Sequence, residues 1–519
     1  MEKIKKFLRN ITPRGYQVKI FQTCKEKNCL VVLPTGIGKT LIALILAIDR
    51  MVKFPEDKVL FLAPTRPLAQ QHLNYFKKHL PELFATMELF TGKTKAEQRK
   101  KLWQNAEIIF STPQCISNDV KNNLYNLSDV SLLIEDECHR CIKSYAYTYI
   151  AEKYNEQARH PRILGLTASP GHEKDKINQI CKNLNIEALE IRTRKSDDVK
   201  EYLQKLEFET IKVDFPQEFQ EIKELLKIIF DKKIQELRNR KLLFGMATKK
   251  NLLELQHRIM KIIASGNKNF NVFSGASALA LVIKLQHAIE LLETQTLSSL
   301  ASYLHDLLDQ AKEKKSKAVQ NLVKQKEFVL AHTKTIDLIA KKQEHPKLLK
   351  LKNIIENEMK NKSSKIMVFC QYRDTATKIC KELNSLSDKF NAKVFVGQAK
   401  KKDTGLSQKE QQALLREFAA GKINVLVSTS IGEEGLDIPE VNAVIFYEPI
   451  PSAIRQIQRR GRTARLQKGK LIILITKGTR DESYYWSAFH KEKKMYKLLD
   501  GIKEDLKGNI HNKKQETLF

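Results

Sequence analysis

Residues 33–40 read Leu-Pro-Thr-Gly-Ile-Gly-Lys-Thr, after one short apolar run and before a longer one. Gly36 and Gly38 let backbone N–H groups approach phosphate oxygens, and a helix opening there aims its positive end at the same anion. Lys39 has the reach for a β- or γ-phosphate, Thr40 can ligate Mg²⁺, and Thr35 sits in the same loop. Leucine at 33 departs from the strict G-x-x-x-x-G-K-T form, but the groups that touch phosphate remain. A second segment, Ser131-Leu132-Leu133-Ile134-Glu135-Asp136-Glu137, is an apolar run ending in carboxylates. Asp136 is suited to hold Mg²⁺ through water, and Glu137 to position and deprotonate an attacking water. Either segment alone is weak. Together they point to hydrolysis of a nucleoside triphosphate.

A third group lies far along the chain: Gln458-Arg459-Arg460-Gly461-Arg462-Thr463-Ala464-Arg465. Arginines on a helix beside a hydrolytic site are what an arginine finger requires; alone, such a helix reads as a basic face on solvent or phosphate. Cys138 and Cys141 make one C-x-x-C, but no second pair stands at metal-ligand spacing. They read as the tail of the acidic motif, with His139 as a relay or packing residue.

Elements that alternate in kind must position these groups. Short apolar, β-branched runs at 30–33, 59–63, 108–111, 130–134 and 163–166 are separated by helical patterns. The same rhythm returns at 365–370, 393–396, 424–428, 443–447 and 471–476. Nearly continuous apolar strands between helices predict parallel sheets covered on both faces, hence two α/β domains. Between them the strand rhythm disappears, and Leu225, Ile228, Ile229, Leu281, Leu285, Ile289 and Leu292 recur at helical spacing. The expected units are 1–215 (nucleotide-binding), 216–345 (an inserted all-helical domain), 346–500 (the second α/β domain) and a basic tail, 501–519. Lysines at 312, 314, 315 and 317 make the insert a nucleic-acid grip, the bland alternative being a structural brace.

Charge agrees with a polyanion partner. Ninety-one Lys+Arg against 60 Asp+Glu leave +31, which self-repels unless nucleic acid is the usual neighbour. With 42% hydrophobic and 29% charged residues, neither a membrane protein nor a disordered chain fits. The longest apolar run, 41–48, is too short to span a bilayer, and residues 1–10 lack a signal-peptide core. A cytoplasmic, nucleoid-associated protein is expected, with no membrane partner.

Taken together, the chain resembles a superfamily 2 helicase. The segments are Gln17 in Pro-Arg-Gly-Tyr-Gln, the phosphate loop, Pro64-Thr65-Arg66, Thr112-Pro113-Gln114, Asp136-Glu137-Cys138-His139 and Thr167-Ala168-Ser169. Phe369-Cys370-Gln371-Tyr372-Arg373, residues 428–439 and the arginine helix complete the set. Phe395-Val396-Gly397-Gln398-Ala399, Gly405-Leu406-Ser407-Gln408 and Phe446-Tyr447-Glu448-Pro449-Ile450-Pro451 resemble the archaeal Hef/FANCM family. That resemblance implies two RecA-like domains clamping ATP and Mg²⁺, in a DNA motor on stalled forks and junctions. It implies Gln17 on adenine, Asp437 on ribose, Gln458, Arg462 and Arg465 completing hydrolysis, and Thr167 and Ser169 coupling it to closure. Thr65, Arg66, Thr112, Tyr372, Arg373 and Thr429 would lie along the strand, mostly on phosphates.

Ala464 replaces the usual glycine, and Cys138 the commoner alanine; neither removes a reacting group. The chain ends too soon after Asp500 for the XPF-type nuclease of the family, so a separate nuclease is the expected partner. Gln515-Glu516-Thr517-Leu518-Phe519 resembles the start of a sliding-clamp (PCNA) peptide, the alternative being a frayed terminus. The competing activity is a double-stranded-RNA-directed ATPase like the Dicer and RIG-I-like relatives, which also carry helical inserts.

Overall fold

The structure is a computed structural model that describes the chain except residues 204–205, 267–268, 361–363, 399–404, 433–437, 461–468 and 517–519. The first sheet contains β1 (Cys29–Val32), β2 (Lys58–Leu62), β3 (Met87–Phe90), β4 (Ile108–Ser111), β5 (Val130–Asp136), β6 (Ile163–Thr167) and β7 (Ala188–Ile191). The second contains β8 (Leu206–Val213), β9 (Ile366–Phe369), β10 (Ala392–Phe395), β11 (Val425–Ser428), β12 (Ala443–Phe446) and β13 (Gly469–Thr476). Their orders are β3-β4-β2-β5-β6-β1-β7 and β10-β11-β9-β12-β13-β8, every pairing among the described residues being parallel. Parallel order forces each connection to cross over the sheet, so helices cover both faces and the central strands are buried and mainly apolar. Strands β1, β2, β4, β9, β11 and β12 are buried along their whole length.

One boundary expected from the sequence is corrected. The segment 206–213 falls inside the 1–215 unit, yet β8 pairs along all eight residues with β13 in the second sheet. The chain therefore enters the second sheet before it builds the insert. Glu207, Phe208 and Glu209 are exposed, as an edge strand allows, so this strand has no apolar run to announce it.

The insert is helical: Gln217–Asn239, Lys249–Ala264, Phe270–Thr294, Leu297–Lys312, Lys317–Val323 and Lys326–Ala340. Its proximal core gathers Phe219, Ile222, Leu226, Leu285, Leu292, Leu300 and Phe328, and its distal core gathers Leu237, Leu252, Leu255 and Val282. Helix Phe270–Thr294 is long and apolar enough, by length and composition alone, to cross a membrane. Here it is the central helix shared by both cores, which explains its apolar surface. Lys284, Gln286 and His287 interrupt it, so it shows no long unbroken apolar run.

Beyond β13 a single helix, Arg480–Glu516, leaves the second sheet. Its Met495, Leu499 and Ile502 join the core on one face of the first sheet, beside Leu30, Cys138, Ile180 and Leu189. The expected tail at 501–519 is thus a continuation of this helix through Glu516, with Ile502 buried. Of the clamp-like peptide, 517–519 lie outside the described residues.

Candidate nucleotide and nucleic-acid sites

In a parallel sheet, ligands gather at the carboxyl ends of the strands. At the end of β1 the chain turns through Gly36 and Gly38, both at φ 85°, into the helix Lys39–Lys53. Gly38 has a second reason to be glycine: a Cβ there would lie 2.2 Å from Gln17 Nε2. Lys39 Nζ donates to the carbonyls of Leu33 (2.9 Å) and Pro34 (3.4 Å). The Thr35 hydroxyl is buried in the same loop with no hydrogen-bond partner among the described residues. A lysine folded over its own loop, an orphaned hydroxyl and a helix N-terminus fit a bound phosphate chain.

Gln17 is buried and braces this loop. Its Oε1 accepts from the Arg14 backbone N–H (2.8 Å) and its Nε2 donates to the Gly38 carbonyl (3.2 Å). Tyr16, which the motif reading passed over, donates to the Ile37 carbonyl at 2.5 Å. The loop is therefore gripped at two consecutive carbonyls by the helix Gly15–Glu26.

Asp136 ends β5, two strands from β1, and its Oδ2 lies 2.9 Å from His72 Nε2. Burial alone would raise this carboxyl, but His72, Lys39 and the Glu137 backbone N–H together hold it below the ordinary carboxylate range. An ionised, buried carboxylate facing the loop fits Mg²⁺ shared with Thr40, which lies in the first turn of the following helix. His72 came from no motif. It projects from helix Arg66–His79 and packs against the Phe61 ring, 4.3 Å between centroids. The Tyr147 hydroxyl donates to the Asp136 carbonyl at 2.6 Å and fixes the strand end from below.

Glu137 sits at φ 51°, a left-handed conformation for a residue with a side chain, and opens the tight turn Cys138–Arg140. Such strain persists where surrounding packing imposes it, which is common at reacting centres. His139 Nδ1 lies 3.2 Å from Glu137 Oε2 and 3.2 Å from Thr167 Oγ1. Thr167 Oγ1 accepts the Ser169 backbone N–H at 3.1 Å, and the Ser169 hydroxyl donates to Met495 Sδ at 2.9 Å. Strand alternation turns Glu135 the other way, where burial pushes its carboxyl well above the ordinary range. Cys138 packs beneath Gly165, its thiol also raised by burial, so it is a packing residue.

The arginine helix Ala453–Arg460 carries Gln458, which is buried. Arg462 and Arg465, and Asp437 of the preceding motif, lie outside the described residues. The two arginines before them are structural. Arg459 is fully buried, its guanidinium 4.9 Å from the Phe369 ring centre and 5.5 Å from Phe446. Arg460 makes a two-pronged pair with Glu492, at 3.2 and 3.1 Å.

The expected strand-contacting residues fall at adjacent strand ends in each sheet. Thr65 and Thr112 are the N-cap residues of the helices that follow β2 and β4, and these two strands are neighbours. Thr65 is exposed, with Arg66 and Thr112 half-buried. In the second sheet Tyr372 and Thr429 follow the neighbouring strands β9 and β11. Helix N-termini with threonine caps suit phosphate oxygens. Thr429 is buried, and Tyr372 turns toward the insert, its ring 5.5 Å from His287. Arg373 donates to the Gly397 carbonyl at 3.2 Å.

Two RecA-like sheets, a phosphate loop and strand-end acid pair on one, and an arginine helix on the other define the superfamily 2 helicase core. The sequence matches the DEAD/DEAH box helicase family at 14–177 and the helicase conserved C-terminal domain at 346–467. Residues 218–337 match a helical bundle described as "Putative ATP-dependent RNA helicase, helical bundle". The crystal structure of the Pyrococcus furiosus Hef helicase domain is 44% identical, with a TM-score of 0.71, and the match covers 93% of this chain and 100% of that one. The chain belongs to the Hef/FANCM family of superfamily 2 helicases. It is 31% identical over 535 residues to the mouse Fanconi anemia group M protein homolog, covering 96% of this chain and 26% of that protein. A Methanocaldococcus jannaschii protein named "Putative ATP-dependent RNA helicase" is 39% identical over 498 residues, 95% of this chain. The chain spans 61% of that relative's length.

Proposed function

We propose that this chain is an ATP-driven DNA motor acting on branched DNA, at stalled forks and junctions. The observation that carries the reading is the match over the full length of the Hef helicase domain, insert included. In this reading Lys39, Thr35 and the loop N–H groups bind the phosphates, while Thr40 and Asp136 hold Mg²⁺. The metal supplies charge neutralisation at the phosphates. Glu137 takes the proton of the attacking water and becomes a neutral acid, and His139, 3.2 Å away, is placed to relay that proton onward. Gln17 adds adenine recognition to its bracing of the loop, Asp437 meets the ribose, and Gln458, Arg462 and Arg465 complete the site from the second sheet.

Thr65, Arg66 and Thr112 on one sheet, and Tyr372, Arg373 and Thr429 on the other, track one strand. The units in this reading are a nucleotide-binding domain ending before β8, the 216–345 insert, and a second domain that includes β8. Such a motor works on the chromosome alongside a separate nuclease. The last five residues serve as a clamp tether, tested by anisotropy of PCNA with Leu518→Ala/Phe519→Ala.

A second reading, an ATPase directed by double-stranded RNA, is favoured by the names of the bundle family and of the M. jannaschii relative. ATPase rates with forked DNA, linear duplex and double-stranded RNA separate the two. Stronger stimulation by the fork supports the DNA motor, and stronger stimulation by RNA replaces it.

A further inference from the structure

The helix Arg480–Glu516 touches each of the three units within a short span. Near its start, Arg480 donates to the Gln286 carbonyl (3.0 Å) and pairs with Glu293 (3.4 Å), both on the central helix of the insert. Tyr484 adds a 3.4 Å hydrogen bond to Glu290 on the same helix. Further along, Lys491 donates to the Pro451 carbonyl (2.8 Å), and Glu492 holds both Nη atoms of Arg460 on the arginine helix. At Met495 the helix reaches the first sheet, where the buried sulfur accepts from Ser169. Behind Ser169 the contacts run through Thr167 and His139 to Glu137. Arg480 and Met495 are about 22 Å apart along one helix, at about 1.5 Å per residue.

We propose that this helix is the mechanical link between the hydrolytic site and the insert, with Glu492 and Met495 as its positioning residues. Their polar partners are Arg460 and Ser169, which stand between them and the acid pair. A change at Glu137 or Thr167 moves Ser169, which bears on Met495. A rigid helix then carries that displacement both to the arginine helix through Glu492 and to the insert through Arg480. Coupling of this kind needs a contiguous element in contact with each site it connects, and this helix is one. The inference rests on the reading of the chain as a nucleic-acid-stimulated ATPase.

The test uses the full chain with Glu492→Gln, which removes the charge at constant shape, and Met495→Leu, which keeps the volume but removes the sulfur acceptor. Basal ATPase should stay within about twofold of the unmodified protein. Stimulation by forked DNA should fall threefold or more, as should strands displaced per ATP, with DNA affinity unchanged. The double variant should lose little more than the worse single one, because both residues serve one link. Unchanged stimulation and unchanged displacement per ATP overturn the inference. So does a parallel fall of basal rate, stimulated rate and melting temperature, which marks a brace. Absence of any stimulation in the unmodified protein overturns the underlying reading together with the inference; stimulation retained by both variants overturns the inference alone.

Discussion

Asp136 and Glu137 are neighbours with different surroundings, and each makes its own prediction. Asp136 is buried beside His72 and in the field of Lys39, and these offset the burial that would otherwise raise it. Replacing His72 by Phe keeps the packing on Phe61 but removes the partner that depresses the carboxyl. The acid limb of the ATPase pH profile should then move to higher pH, because Asp136 becomes protonated before the pH has fallen as far. An acid limb that stays in place would show that Lys39 and backbone suffice. Glu137→Gln keeps the shape of the turn but cannot accept a proton, so ATP binding persists while the single-turnover rate falls by about 10²-fold or more. Lys39→Ala differs by weakening binding itself, read as a loss of labelled-ATP retention. Appreciable turnover by Glu137→Gln would assign the water to another base. The motifs gave both acids and the lysine, whereas His72, Tyr16 and Tyr147 were invisible. Nothing in the spacing of a lone histidine within a helix says that it meets a carboxylate 64 residues away.

At the level of elements, central strands were legible because burial on both faces leaves unbroken apolar runs, as in β1, residues 108–110 of β4 and 132–134 of β5. Of the four edge strands β10 was read at 393–396, but β3, β7 and β8 were not, since a half-exposed strand such as Glu207-Phe208-Glu209 mixes charge with apolar residues. The insert was legible as helical, but its lysines need a correction of degree. Lys312 pairs with Asp309 at 3.5 Å and Lys315 with Glu313 at 2.5 Å, while Lys314 and Lys317 carry no ion pair among the described residues. Replacing Lys312, Lys314, Lys315 and Lys317 by Gln should therefore weaken fork affinity. It should lower the slope of log affinity against log salt by roughly two, since each phosphate contact contributes about 0.9. A drop near four would mean that DNA displaces the acidic partners. No change in slope would make this face of the insert a brace.

The whole molecule is held at a buried polar seam where the insert meets the second sheet. Lys347 is fully buried; its Nζ donates to the Thr294 carbonyl of the insert (2.7 Å) and to Asp481 (2.8 Å) and lies over the Tyr447 ring. Thr375 donates to Gln295 and shares a hydrogen bond with Ser299, so the end of the central helix is sealed against the sheet. Excising 216–345 thus strips partners from buried charges, and a single substitution tests the seam more cleanly. Lys347→Met should cost about 3–5 kcal/mol in denaturant unfolding, because it leaves Asp481 buried without its cation. Lys347→Met/Asp481→Leu should recover most of that loss, since no unpaired charge then remains. Glu448 sets the pH dependence. Burial pushes its carboxyl up to about 8, against the pull of Lys347 and Arg459. A carboxyl raised on folding contributes stability that is complete below its ordinary value of 4.5 and lost as pH rises toward 8. The melting temperature should therefore decline from pH 5 to 8.5, more steeply in Lys347→Met, where one cation that favours ionisation is gone and the charge stays buried. Glu448→Gln should flatten both curves. Melting profiles that keep their slope in Glu448→Gln would remove this carboxyl from the account and leave Lys347 and Asp481 as the whole of the seam.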